Sequence, residues 1–151
     1  MSIRVRAATP NDVYTIVSLV RARELPSDGL ADLVRAHPQH VLLAELSGIV
    51  VGVGALDVQG SSALLRSVAV ASDLSTLGVG SRLVTDLLTL ARANSLTAVY
   101  LLTTTAEAWF PRFGFQVVER AHVPTEIANT IEFTKACPSS ATVMQCTLST
   151  P

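Results

Sequence analysis

The sequence predicts a mixed α+β domain, with a central and mostly antiparallel sheet of about six to seven strands flanked by about four helices. Three observations carry this. Residues 41–70 read as three apolar segments separated only by Ser47-Gly48 and Gln59-Gly60-Ser61, so consecutive strands must turn back on one another. Residues 64–70 and 97–102 flank a glycine turn and one amphipathic run, which has the length of a crossover helix between parallel strands. Elsewhere helical periodicity is confined to short stretches bounded by proline or glycine.

The chain opens with an alternating strand at residues 3–6. Thr9-Pro10 follows as a helix N-cap with proline at the first helical position, and Asp12 stands where a capping box needs an acceptor. Val13, Ile16, Val17 and Val20 then recur at helical spacing until residues 26–29 interrupt the pattern. A second short helix at residues 30–36 stops at Pro38. Strands at 41–46, 49–58 and 64–70 come next. After Gly78-Val79-Gly80, Leu83, Leu87, Leu90 and Ala91 mark one face of a helix, and 97–102 reads as a buried strand. A short helix at 106–112 ends at Gly114, which suits a left-handed C′ position, before strands at 115–120 and 142–148. The order is β-α-α-β-β-β-α-β-α-β-β, with no element assigned between 121 and 141.

Composition narrows the class. A chain of 151 residues, 49% of them hydrophobic and 15% charged, can bury a core as one domain across 1–151 without disulfides or a metal. Its mean hydropathy of +0.45 is compatible with a homodimer interface. A formal net charge of -1 offers no basic footprint for nucleic acid. The first residues lack a signal-peptide core and the apolar run 49–56 is too short to span a bilayer, so a cytoplasmic protein with no membrane partner is expected. Cys137 and Cys146 form no CxxC pair, and read as buried thiols, with redox or metalloid binding as the other option.

Two stretches carry chemistry. Leu64-Leu65-Arg66-Ser67-Val68-Ala69-Val70 runs through a short polar loop into Gly78-Val79-Gly80 and a helix, aiming free backbone N–H groups and the positive end of a helix dipole at one point. Such a point suits a pyrophosphate, although a lone G-x-G before a helix is also a common tight turn. The second stretch is Trp109-Phe110-Pro111-Arg112-Phe113-Gly114-Phe115. Together with the element order they make nearly the whole chain resemble the GNAT family of N-acetyltransferases. The resemblance implies a GNAT fold and direct attack of an acceptor amine on the acetyl-CoA thioester, in a ternary complex with no acetyl-enzyme and no metal.

It also implies roles. The backbone amides of Leu77, Gly78, Val79, Gly80, Ser81 and Arg82 would cradle the CoA phosphates. Ser75, Thr76 and Leu77 depart from the family loop, Gln/Arg-x-x-Gly-x-Gly/Ala, in which a Gln or Arg, a Gly and a basic residue are usual; the departures imply weaker CoA binding. Val68, Ala69 and Val70 would hold the pantetheine arm through the main chain and give an N–H to the thioester oxygen. Many relatives carry a tyrosine that protonates the leaving thiolate, where this chain has Phe110, a ring with no proton to give. Arg112 faces either the CoA phosphates or solvent. Thr103 stands where relatives have an Asn or Ser touching the pantetheine, or it simply packs.

Arg66 is the one charge in its strand; it snorkels, pairs with a core carboxylate, or grips a substrate carboxylate in bidentate fashion. The segments 65–70, 101–110 and 132–141, the last reading Glu-Phe-Thr-Lys-Ala-Cys-Pro-Ser-Ser-Ala, resemble the branch holding bacterial N-acetylglutamate synthases and ArsN-type arsenic-resistance N-acetyltransferases. That likeness implies a small acceptor with a free α-amine and a carboxylate, met by Arg66, Ser67, Thr103 and Thr104. Glu107, beyond the threonine run, leads the candidates for general base, with His122, Glu126 and Glu132 as others; a solvated side chain is the plain alternative for each. Two other classes stay open from sequence alone: a non-catalytic CoA-binding sensor, and a structural homodimerising domain.

Overall fold

The computed structural model describes residues 2–71, 77–136 and 138–148. Among these residues seven strands form one sheet in the order β1-β2-β3-β4-β5-β7-β6. Strands β1 (Ile3–Ala7), β2 (Val41–Leu46), β3 (Ile49–Gln59) and β4 (Ser62–Val70) are an antiparallel meander. Helix α3 (Val79–Ala93) then crosses over to β5 (Ala98–Thr103), which runs parallel to β4 and antiparallel to β7 (Thr142–Thr147). Helices α1 (Val13–Ala22) and α2 (Leu30–Ala36) cover one face of the sheet, burying Ile16, Val20, Leu30 and Val34 against Leu43, Val53 and Ala69. On the other face α3 buries Leu87 and Leu88 with Leu56, Leu65, Val99 and Phe115. Among the described residues no helix is long and apolar enough to cross a membrane.

Local signals set the start of α1. The Thr9 backbone N–H donates to Asp12 Oδ2 at 2.8 Å, closing a 3-10 turn over Pro10–Asp12 from which the helix grows. Arg6 grips the same carboxylate at 2.9 Å, and that hydrogen bond, helped by Thr9, holds the Asp12 carboxyl down at about 2. The hairpin turn has Ser47 and Gly48 both at positive φ, 51° and 80°, matching the twist of its strands.

Three expected elements differ. Residues 106–112 form no helix; a 3-10 turn, Phe110–Phe113, follows β5, because a proline inside four residues of aromatic-rich chain allows a single tight turn. The strand expected at 115–120 is shortened to β6, Gln116–Val117, at the sheet edge, with one more bond from the Val118 N–H to Val143 O before the chain turns away at residues 120–122. The blank stretch holds α4 (Thr125–Ala128) and a π-helical turn over Glu132–Ala136, both too short to show periodicity. Gly114 does adopt the left-handed conformation, at φ 98°.

Two irregularities shape what lies between β4 and β5. Opposite Gly54 of β3, strand β4 carries two residues, Ser67 and Val68, in a bulge with Ser67 at φ 59°. The parallel pairing of β4 with β5 spans only Ser62↔Ala98 to Leu64↔Tyr100. Beyond Leu64 the strands splay apart.

Candidate active site

A cavity of about 590 Å³ fills the splay, walled by Leu65, Arg66, Ser67, Val68 and Val70 on one side and Leu101–Ala106 on the other. The N-terminus of α3 forms its floor. Because the Ala71 N–H is bonded to Val51 O of β3 at 2.8 Å, strand alternation turns the Val68 and Val70 main-chain groups to the open edge facing the cavity. That edge can pair with an extended amide-bearing chain and leaves the Val70 N–H free to meet a carbonyl oxygen. The Ala69 side chain points the other way, into the core beneath α1.

Gly78 caps α3 in the left-handed conformation, φ 79°, and the first helical bond runs from Arg82 N–H to Gly78 O at 3.0 Å. Helix geometry therefore leaves the N–H groups of Val79, Gly80 and Ser81 without intrahelical partners, beside Gly78, Gly80 and Ser81 in the cavity wall. Fully buried Val79 anchors this turn: a Cβ on Gly52 would lie 2.8 Å from Val79 Cγ1, so the missing side chain lets α3 sit down on β3. Trp109 leans over Gly80, its Cη2 3.5 Å from where a Cβ would stand.

The Arg82 and Arg112 side chains turn away from the cavity. The Arg82 N–H is spent on Gly78, and its guanidinium turns along the helix to Asp86 at 2.8 Å, the ordinary i,i+4 pairing of an exposed face. Arg112 folds back on its own turn, donating to Trp109 O at 2.8 Å with its guanidinium 5.7 Å from the Trp109 ring centroid, outside the cavity. Leu77 is 49% exposed and does not line the cavity. Ser75 and Thr76 lie outside the described residues, as does Cys137. Cys146 is a buried thiol beside Phe113 O, its pKa raised by that burial.

Phe110 lines the cavity but packs edge to face with Trp109 and Phe115, 4.9 and 5.6 Å away, so no proton donor stands at that point. Thr103 and Thr104 line the cavity, and the Thr103 hydroxyl accepts the Ala106 N–H at 2.9 Å, which bends the chain out of β5. Glu107 is corrected: its carboxylate accepts the Thr142 hydroxyl at 2.8 Å across the strand ends and does not reach the cavity. His122 and Glu126 are exposed on the segment around α4, outside it too.

Arg66 is only 4% exposed and lines the cavity. Its Nε donates to Ser67 Oγ at 3.0 Å, and its Nη2 lies 3.2 Å from Glu132 Oε1. That contact is an ion pair without hydrogen-bond geometry, so the buried Nη2 completes no hydrogen bond. The start of α2 roofs the guanidinium, with Gly29 so close that a Cβ there would stand 3.8 Å from Nη1. The sequence left Glu132 as a candidate general base or a solvated side chain; it is 6% exposed. Glu24, Leu25 and Pro26, after α1, complete the mouth and had no sequence signal beyond an interrupted helix. Among the described residues no group of three or more His, Cys, Asp or Glu could hold a metal ion.

Residues 37–117 match the model of the acetyltransferase (GNAT) domain, more than half of the chain. The chain belongs to the GNAT acetyltransferase family. It is an acetyl-CoA-dependent N-acetyltransferase, and the open β4 edge and the α3 N-terminus fit the pantetheine and pyrophosphate of that cosubstrate. Among solved structures, Rv2747 of Mycobacterium tuberculosis, in complex with CoA and a second ligand, is similar at TM-score 0.81 and 28% identity, over 97% of this chain and 99% of that one. N-acetylglutamate synthase of Neisseria gonorrhoeae, complexed with CoA and N-acetyl-glutamate, shares the fold at TM-score 0.84 and 19% identity, over 99% of this chain but 36% of that enzyme. The ribosomal-protein-S18-alanine N-acetyltransferase of Escherichia coli does so at TM-score 0.78 and 16% identity, over 99% and 96%. No curated protein matches this sequence.

Proposed function

We propose that the enzyme acetylates the α-amine of a small amino acid or an amino-acid-like compound, glutamate-like or organoarsenical, with Arg66 holding the acceptor's carboxylate. The observation that carries this reading is the Arg66 Nη2, buried in the cavity wall and completing no hydrogen bond. A buried guanidinium fork with an unspent donor favours a planar oxyanion over water. The N-acetyl-glutamate bound by the Neisseria enzyme supports an acceptor of this class. The amine attacks the thioester directly, and the Val70 N–H, free on the open edge, meets the developing oxyanion. With Phe110 apolar, the thiolate leaves without a phenolic acid, which its ordinary pKa of about 8.5 permits.

The test is Arg66→Lys, since an ammonium cannot reproduce the bidentate contact. The Michaelis constant for an amino-acid acceptor should rise about tenfold or more while acetyl-CoA affinity stays within about twofold. Equal use of an amino acid and its α-carboxamide by the wild type would refute the assignment.

A further inference from the structure

We propose that Arg66 and Glu132 form a clasp for a zwitterion, in which Glu132 takes the charge and then one proton of the acceptor's α-ammonium while Arg66 takes its carboxylate. This rests on the reading of Arg66 above and supplies the proton acceptor that Glu107, turned to Thr142, does not. Among the described residues, the titratable groups lining the cavity are Glu24, Arg66 and Glu132. Glu24 is exposed at the mouth, whereas the Arg66 and Glu132 side chains are 2% and 8% exposed, in the wall and 3.2 Å apart.

The physics of a buried pair makes the case. Arg66 and Glu132 balance each other, so an acceptor with a carboxylate alone, or an amine alone, would add an uncompensated charge beside a buried pair. A zwitterion adds none. Its carboxylate meets the guanidinium, its ammonium meets the Glu132 carboxylate, and the four charges sum to zero. Both partners are held from behind. Ser67 Oγ fixes the Arg66 Nε, and the strained φ of 59° at Ser67 aims that neighbour. The turn bearing Glu132 is strapped by Arg120, which donates to Ser139 O and Ala141 O at 3.2 and 3.0 Å and lies 5.3 Å from the Phe133 ring centroid.

The chemistry balances. The ammonium passes one proton to the Glu132 carboxylate, and the freed lone pair forms the C–N bond to the thioester carbon. The C–S bond then breaks, the thiolate takes the second amine proton, and Glu132 releases its own to water.

The experiment measures kcat/KM against pH, from about 6.5 to 8.5, for the best acceptor among the standard L-amino acids and for its α-carboxamide. Because the wild type captures the ammonium form, its profile for the amino acid should be level across this range. Glu132→Gln must wait for free amine, so its kcat/KM should fall at least about tenfold near pH 7 and climb about tenfold per pH unit toward the amine's pKa. Glu132→Asp should restore the level profile, and calorimetric CoA binding by both variants shows that they are folded. A climbing wild-type profile overturns the clasp even if no variant folds, and so does a level Glu132→Gln profile. If the α-carboxamide serves the wild type as well as the acid, the Arg66 reading itself fails, a result distinct from failure at Glu132.

Discussion

Replacing Gly52 by alanine should loosen the first turn of α3, where we propose that the CoA phosphates bind, from behind. A Cβ at Gly52 would lie 2.8 Å from Val79 Cγ1 and 2.9 Å from Leu83 Cδ1, both on fully buried residues. Comfortable carbon contacts are about 3.5–4.0 Å, so two atoms on successive turns of α3 must each give way by more than about half an ångström. Overpacking of this kind costs about 1–3 kcal/mol. The alanine recovers about 0.4–1 kcal/mol by restricting the unfolded chain. The net loss centres on about 1.3 kcal/mol, which for a domain of this size lowers Tm by about 3–5 °C. Because Val79 sits between Gly78 and Gly80, the same push should weaken CoA binding. Scanning calorimetry and CoA titration read the two effects. Gly80→Ala is the control, since its Cβ would make only ordinary contacts of 3.5 Å or more and should leave Tm unchanged or slightly raised. A Tm for Gly52→Ala equal to or above the wild type would refute the packing argument.

Gly80→Asp puts a carboxylate against the unpaired α3 amides in the cavity wall and should weaken CoA at least about tenfold by calorimetry, unchanged affinity being the adverse result. Phe110→Tyr should raise turnover by less than about tenfold, because the ring edge is packed between Trp109 and Phe115; a gain of a hundredfold or more would show a site disabled by the phenylalanine. Burial and the neighbouring His37 lower the His40 pKa below 6.5, so the unfolded chain binds a proton more readily and stability should fall as pH drops through about 6.5. Urea unfolding followed by the single tryptophan, Trp109, checks this, and His40→Gln should flatten that slope. Below pH 4 the Asp12 carboxyl, held near 2 by Arg6, adds a second loss as it is protonated.

Sequence alone determined the elements whose causes are local. The alternation at β1, the Thr9-Pro10-Asp12 start of α1 and the glycine before α3 each depend on residues a few positions apart, and each stands where it was expected. It also picked out Arg66, because a lone charge in an otherwise apolar strand demands a reason. What it could not set was direction and meeting. Arg82 and Arg112 carry the right charge for phosphates, yet one faces the solvent side of α3 and the other folds onto Trp109. Glu107 and Glu132 look alike in the chain, but the turn after β5 sends the first to Thr142 and the π-helical turn after α4 brings the second to Arg66. The cavity itself comes from a bulge and from pairing that stops at Leu64, which are properties of two strands laid side by side. Propensity acts over a turn or a strand, whereas contacts between distant residues depend on register, twist and packing summed over the whole sheet, and these exist only once the chain has closed on itself.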